Sequence, residues 1–148
     1  MDLAAIAAGL AARYAPAAVT PPTGRTNVTL STATPPNNLA TTPAVVVWPQ
    51  SGDVTVLSGR MAGEHEFAVS FYYAKREGDI PREAAALQAW LGVLLGQTFG
   101  ALKLGVTGVL KAIPLRWEIG QLTYGGDSYD GITITVHVWT EETVTLVP

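Results

Sequence analysis

Side chains that could carry out acid–base chemistry are few in this sequence, and both of its histidines lie in strand-like patterns. His137 shares its predicted strand face with Thr133, Thr135 and Trp139, and His65 lies in a second alternating run. Imidazole suits proton transfer near neutral pH, but a catalytic base needs partner groups within hydrogen-bonding distance. The spacing alone identifies no Ser-His-Asp arrangement, so we expect both histidines to be structural.

A second candidate for chemistry is the acidic, glycine-rich stretch GGDSYDG, residues 125–131. Its carboxylates, Asp127 and Asp130, suggest a calcium loop, yet their spacing departs from the EF-hand pattern, and Asp and Gly are common turn residues. Glu64 and Glu66, two residues apart, are typical of a solvent-exposed strand face. The sequence has no Walker A motif and no dinucleotide-binding glycine loop. We therefore expect no metal, no cofactor and no enzymatic activity, with a small α+β enzyme as an alternative.

The bulk composition suits one domain, residues 1–148, with much of its surface against other protein. Of the 148 residues, 48% are hydrophobic and only 14% are charged, and the formal net charge is −3. The basic surface that binds nucleic acid is therefore not expected. The chain has no cysteine, which excludes disulfides and thiolate chemistry and is compatible with a reducing cytoplasm.

The rest of the chain is expected to pack around the stretch Asp79–Leu104. Asp79 suits an N-cap and Pro81 the first turn, so the sequence predicts one long central helix from about Pro81 to Leu102. Helical spacing gives this helix an apolar face, which would cover a sheet, and a face of small residues that lets another backbone approach closely. The apolar face comprises Leu87, Leu91, Leu94, Leu95, Thr98 and Leu102, and the small-residue face comprises Ala85, Ala89, Gly92, Gly96 and Gly100.

The same segment also permits a membrane interpretation. Residues 84–102 carry no charge over roughly the length of a spanning helix, and glycine recurs there every fourth residue, as in membrane helix pairs. Gln88, Gln97 and the strand-rich flanks favour a packed helix in a soluble domain instead. The N-terminus begins with Asp2 and has no basic region, so no signal peptide is expected.

A short N-terminal helix is predicted between Asp2, a capping residue, and Pro16, which ends the helical pattern. Most of its positions outside one apolar stripe are Ala or Gly, so we expect this slim helix to pack on the small-residue face of the central helix. The apolar stripe comprises Leu3, Ile6, Ala7, Leu10 and Tyr14.

Residues 16–43 are rich in Pro and Thr and predict an extended arm. The proline pairs Pro21-Pro22 and Pro35-Pro36 favour extended backbone, with a short strand at Asn27–Thr32 between them. Long loops in small domains are usually functional or mobile, so a disordered connector is the alternative.

Alternating apolar residues predict an antiparallel or mixed sheet of about five or six strands, and hence an α+β fold. Gly120 is expected to form a bulge, and residues 140–148 a β-prone tail. The predicted strands are Ala44–Trp48, Val54–Arg60, Glu64–Ala74, Ala112–Ile119, Gln121–Tyr124 and Ile132–Trp139, with turns at Pro49–Asp53, Met61–Gly63 and Gly125–Gly131.

The order of these elements and several local sequences resemble the tail terminator (tail completion) proteins of long-tailed, non-contractile bacteriophages. The resemblance covers nearly the whole chain and is carried by LAAIAAGLAARY, VTPPTGRTNV, PAVVVWPQSG, AALQAWLGVLLGQ and LTYGGDSYDGITITVHVW. Within the last segment, a pattern similar to actinobacteriophage members comprises Tyr124, Gly125, Gly126, Tyr129 and Gly131.

The resemblance implies a structural virion protein, made in the host cytoplasm, that forms a homo-hexameric ring at the head–tail junction. Such a ring ends tail-tube polymerisation, contacts the major tail tube protein and the head–tail connector or stopper, and lets DNA pass without specific binding. An adaptor, a stopper or a minor tail protein is the alternative. Subunit contacts are expected at the small-residue helix face, at the turn around Gln50, Ser51 and Gly52, and at Pro21, Pro22, Pro35 and Pro36.

Overall fold

A computed structural model of the chain describes residues 1–76, 83–100 and 103–145. The elements are α1 (Leu3–Arg13), β1 (Leu30–Thr32), β2 (Ala44–Leu57), β3 (Arg60–Lys75), α2 (Ala84–Phe99), β4 (Val109–Tyr124) and β5 (Asp127–Thr143). The five strands form one sheet in the order β1-β2-β3-β5-β4. The expected α+β class is confirmed.

Two long antiparallel hairpins make up most of the sheet. β2 turns into β3 at Ser58–Gly59, and β4 turns into β5 at Gly125–Gly126. Gly59 has φ 74°, and the two later glycines have 58° and 85°, left-handed values that glycine adopts at little cost in tight turns. β3 pairs antiparallel with β5, and β1 pairs parallel with the start of β2, so the sheet is mixed.

The first hairpin has longer and fewer strands than its local patterns predict. The predicted turns at Pro49–Asp53 and Met61–Gly63 are wrong, because both segments lie inside the paired strands β2 and β3. The register shifts between Pro49 and Ser51, and the pairing then continues to the hairpin turn. A proline is tolerated in β2 because that part of the strand is a sheet edge, where its missing N–H breaks no ladder bond.

The second hairpin is also more continuous than predicted. The expected bulge at Gly120 is wrong, because Gly120 pairs with Gly131 between neighbours in regular register. The expected tail from Thr140 begins inside β5, and beyond that strand the Val144 N–H donates to the carbonyl of Gly59 at 3.1 Å. The last three residues of the tail lie outside the described part of the chain.

Both helices are short, so the prediction of one long central helix is wrong in its extent. α2 has 16 residues and α1 has 11. α2 ends at Phe99 because Gly100 follows, and glycine has the lowest helix propensity after proline. The predicted cap Asp79 and first-turn Pro81 lie outside the described residues.

α1 was predicted correctly in position and in its cap. Asp2 Oδ1 accepts a hydrogen bond from the Ala5 N–H at 2.9 Å, which satisfies a free donor of the first turn. The helix lies on the β1–β2 side of the sheet and meets α2 near the end of each helix. There Gln97 Nε2 donates to the carbonyl oxygens of Arg13 and Ala18, at 3.0 and 2.6 Å.

The main core lies between the two helices and one face of the sheet. Alternate side chains of each strand point to this face, as the period of two requires. Trp90 of α2 packs on Phe71 of β3, with ring centroids 4.9 Å apart. The buried core residues from the sheet include Val45, Val47, Phe67, Val69, Phe71, Ile132, Ile134, Val136 and Val138, and those from the helices include Ile6, Leu10, Leu87, Trp90 and Leu94.

A smaller aromatic cluster lies on the opposite face of the sheet. Tyr72 makes edge-to-face contacts with Tyr124 and Tyr129, at centroid distances of 5.4 and 5.6 Å. The Tyr124 hydroxyl donates to the carbonyl of Pro36, and Leu39 packs against the same cluster. Two tyrosines of the YGG…Y pattern therefore help to hold part of the proline-rich segment on the sheet.

Candidate interface surfaces

Two long stretches of sheet edge have no strand beside them in the described part of the chain. β4 is the last strand of the sheet and pairs with β5 alone. β2 pairs with β1 only over Ala44–Val46, which leaves residues 47–57 as an outer edge. The N–H and C=O groups along such an edge can pair with a strand of another molecule.

Exposed apolar side chains concentrate on these two edges. Of the nine large hydrophobic residues that are exposed among those the structure describes, four lie on β2 and three on β4. Single exposed hydrophobics are ordinary, but several along one edge indicate a contact surface. They are Trp48, Val54, Val56 and Leu57 on β2, and Leu110, Leu115 and Trp117 on β4, each between 51% and 65% exposed.

The outer half of β2 borders a groove of about 350 Å³ beside the start of α1. Leu3 of α1, Phe67 of β3 and several β2 residues form its walls. The predicted contact residues Gln50, Ser51 and Gly52 line this groove and are exposed. They lie on a strand edge, however, and not in the turn that the sequence predicts.

His65 is packed between two glycines on the helix-covered side of the sheet. It is 5% exposed, and its Nε2 lies 3.3 Å from Thr140 Oγ1. A Cβ at Gly52 would lie 2.5 Å from its Nδ1, and a Cβ at Gly63 would overlap its Nε2. Burial, and then the positive charge of His137, lowers the pKa of His65. His65 is therefore a buried, neutral residue for which the two glycines make room.

His137 lies on the opposite face, in a stack with an aromatic and a cationic side chain. Its ring stacks on Trp139 with centroids 4.0 Å apart, and Lys111 Nζ lies 4.2 Å from the Trp139 ring. Glu64 accepts from Trp139 Nε1 at 3.0 Å, and its other oxygen lies 3.8 Å from His137 Nε2. The predicted shared face of His137 and Trp139 is confirmed, and the stack connects β3, β5 and β4.

The two aspartates of the GGDSYDG stretch face different cations. Asp127 Oδ1 lies 3.4 Å from Lys75 Nζ, and the buried Asp130 has its Oδ1 3.8 Å from Arg76 Nε. Both aspartates belong to β5, because the turn is confined to the two glycines before them. Within residues 1–76, 83–100 and 103–145, no three or more His, Cys, Asp or Glu side chains are grouped so that they could hold a metal ion.

Most of the small-residue face of α2 points to solvent, so its expected packing with α1 is limited to the end of the helix at Gly100. A Cβ at Gly92 or Gly96 would meet nothing within 4 Å, whereas one at Gly100 would lie 3.0 Å from Arg13 Nη2. α1 instead buries its apolar stripe on the sheet, apart from Leu3, which is exposed. The exposed residues of this face are Ala85, Ala89, Gly92, Gly96 and Gly100.

The buried side of α2 is rotated from the predicted apolar face. Leu91 and Leu95 are only half-buried, and Trp90, which the prediction omitted, is fully buried. The buried residues are Ala86, Leu87, Trp90, Leu94 and Thr98. No helix that the structure describes is long and apolar enough to cross a membrane.

The proline-rich segment 16–43 lies along its own domain. Asn27 Nδ2 donates to the carbonyl oxygens of Pro16 and Val19, at 2.9 and 3.2 Å, and Val19 and Val28 are buried in the main core. The strand predicted in this segment is present only as β1. Of the prolines expected at contacts, Pro35 is exposed, and Pro21, Pro22 and Pro36 are half-buried.

A scan against protein-family models and a search of curated proteins both give no match for the chain.

Proposed function

We propose that this chain is a phage tail terminator, a structural virion protein whose homo-hexameric ring at the head–tail junction ends tail-tube polymerisation and joins the tail to the head. The resemblance of the five sequence segments to terminators of long-tailed, non-contractile phages supports the phage role. The assembly part of the proposal depends on one observation: among the residues that the structure describes, the single sheet leaves two apolar edges free on its opposite sides.

Ring formation explains why those edges are apolar. Each subunit of a ring uses two different patches, one for each neighbour. Proteins that work alone commonly protect a free edge with charged residues, because an apolar edge invites aggregation. Asp53 is the single charged residue between Trp48 and Leu57, so β2 has little of this protection.

The remaining exposed surfaces suit the other proposed partners, the major tail tube protein and the head–tail connector or stopper proteins. The flat small-residue face of α2, with Phe99 57% exposed at its end, is available after the sheet edges have been used for the ring. The net charge of −3 and the few charged residues fit a lumen through which DNA slides without specific binding.

The proposal is tested by a reconstruction of the tail–head junction in the virion. Six copies in one layer above the last tube ring are expected. A twelve-fold layer would indicate an adaptor, and a position at the tail tip would indicate a minor tail protein.

Removal of the protein gives a second, genetic test of the same proposal. A terminator stops tube growth, so its absence should produce tails of uncontrolled length. Tails of normal length that only lack heads would contradict a terminator and favour the adaptor or stopper alternative.

A further inference from the structure

We propose that neighbouring copies of this chain join edge to edge, with the outer half of β2 in one copy paired antiparallel to β4 of the next copy in one continuous sheet. This inference rests on the ring of the proposed function and names the two surfaces that would close it. The occupant of each free edge is thus a second copy of the same chain.

The strand directions are the first support for this pairing. β2 is antiparallel to β3, β3 to β5 and β5 to β4, so β2 and β4 run in opposite directions. A second copy displaced along the sheet therefore places its β2 antiparallel beside β4, with its helices on the same side. Antiparallel pairing is the more stable and more frequent arrangement. Because this contact joins two different edges, it repeats from copy to copy, as a ring requires.

The faces of the exposed side chains are the second support. Trp117 pairs with Ile134, which is fully buried under the helices, so Trp117 points to the helix-covered side although it is 53% exposed. Val54 and Val56 pair with the β3 residues that lie two and four positions before the buried His65, on the same face of that strand. Both valines therefore point to the helix-covered side. The proposed pairing places the indole beside the two β-branched side chains, a combination that stabilises adjacent strands.

Bulges at both edges limit how far the two strands can pair. The register shifts between Pro49 and Ser51 in β2, and at two places in β4, between Val109 and Lys111 and between Pro114 and Arg116. A proline offers no N–H, and a bulge bends its strand and interrupts the ladder. The pairing is therefore confined to the segments beyond the bulges, Ser51–Leu57 in one copy and Arg116–Tyr124 in the next. These segments lie at opposite ends of the sheet, so neighbouring copies are staggered along the strand direction.

Charge also favours unlike edges over like edges. Within the paired segments β2 carries Asp53 as its one charged residue, and β4 carries Arg116 and Glu118, whose charges cancel. Pairing β2 with β2 would bring two Asp53 carboxylates together, and either like pairing would leave the other apolar edge of each chain uncovered. The β2–β4 contact covers both edges with one interface.

The chain has no cysteine, so introduced cysteines can test this contact directly. Thr55 and Glu118 are both exposed, and their strand partners, Ala62 and Thr133, place them on the same face of the sheet. The variant that carries both Thr55→Cys and Glu118→Cys is treated with a bifunctional maleimide and separated under denaturing conditions. A ladder of dimers, trimers and larger products is expected, because each copy is linked to the next.

Three controls make the cross-linking decisive. The single variants Thr55→Cys and Glu118→Cys should stay monomeric, whereas a dimer from Glu118→Cys alone would show a β4–β4 contact and overturn the proposal. A variant with Thr55→Cys and Lys103→Cys has the same number of exposed cysteines but none on β4. A ladder as strong from this control, or no ladder from the test variant, would equally reject the β2–β4 contact.

A pair of surface substitutions gives an independent measurement. Introduced into the Thr55→Cys and Glu118→Cys background, Trp117→Lys should reduce the ladder at least tenfold, because it places a charge in the proposed interface. Phe99→Lys should leave the ladder unchanged, because it replaces an equally exposed aromatic residue on α2. Equal effects of the two substitutions would contradict the proposal. Six copies at the junction without this cross-link would reject the interface and leave the terminator function standing.

Discussion

The Tyr14 hydroxyl is hydrogen-bonded to Thr98 Oγ1 and so joins the ends of α1 and α2 inside the core. Thr98 donates its own proton to the Leu94 carbonyl at 2.9 Å, so Tyr14 is the donor to Thr98. Tyr14→Phe is expected to lower the free energy of unfolding by about 0.5–1.5 kcal/mol, measured by urea denaturation. Tyr73→Phe, which removes a half-buried hydroxyl 3.5 Å from Arg25, is the matched control and should change little. Equal losses would contradict a role for the Tyr14 hydrogen bond.

The same tyrosine makes the fold sensitive to alkali. Burial raises the pKa of Tyr14 from 10.0 to about 12, although the hydrogen bond with Thr98 and the charge of Arg13 act in the opposite direction. Between these two values the unfolded chain binds fewer protons than the folded chain, so the free energy of unfolding falls as the pH rises. The loss attributable to this group is about 2–3 kcal/mol, with full stability below the unfolded pKa. Tyr14→Phe should show a shallower decline in unfolding experiments over this pH range, and parallel curves would contradict the prediction.

Trp90 is expected to contribute more to stability than Leu91, which the helical pattern placed on the buried face. Trp90 is fully buried against Phe71, whereas Leu91 is half-buried. Trp90→Ala should therefore cost roughly 3–5 kcal/mol of unfolding free energy, and Leu91→Ala about 1 kcal/mol. Chemical denaturation of both variants measures the difference. A larger loss for Leu91→Ala would show that α2 is rotated relative to the described structure.

The contact between Gly52 and His65 predicts a strong dependence of one substitution on the other. Gly52→Ala places a methyl group 2.5 Å from the imidazole and should cost roughly 1–3 kcal/mol of unfolding free energy. In a His65→Ala background the same substitution should cost much less, because the ring is gone. A double-mutant cycle measures this coupling directly. Additive effects of Gly52→Ala and His65→Ala would show that the ring does not require the glycine.

Much of the fold could be predicted from local sequence because local forces determine it. Asp2 is a good cap, and the alternation around Ile134 and Val136 predicts both the strand and its buried face. The strand ends could not be predicted in the same way. Pro49 and Gly63 are local turn signals, but their segments are held extended by pairing along the whole β2–β3 hairpin. Tertiary pairing overrides local preference at such positions.

The candidate interface was predictable only in part. Gln50, Ser51 and Gly52 were expected at a subunit contact; they are exposed, and the contact itself stays a prediction. The two free edges could not be identified, because they depend on β5 lying between β3 and β4, a non-local pairing. Pro49 and Pro114 were the available signals, since a proline within a strand pattern indicates an edge strand. The burial of His65 depends on the absence of a side chain at Gly52, its partner on the neighbouring strand, and no local pattern reveals this cross-strand contact.

The exposed glycines of α2 should separate folding from assembly. Gly92 and Gly96 have open space where a Cβ would lie, so Gly92→Ala should raise the unfolding free energy of the isolated chain by about 0.5–1 kcal/mol through helix propensity. Gly96→Leu should also fold normally, because a Cβ at Gly96 has no atom of the described residues within 4 Å.

The effect of Gly96→Leu on assembly then decides the role of this face. If the face contacts a tail or neck partner, Gly96→Leu lowers the yield of joined particles, while Gly92→Ala, which adds one methyl group, lowers it less. Particle counts by electron microscopy, together with urea unfolding of the same purified variants, measure the two effects separately. Normal particle yields from Gly96→Leu would show that the stripe stays in solvent after assembly. Unfolding of the isolated Gly96→Leu chain would instead show that the stripe is covered within a single subunit, contrary to the described structure.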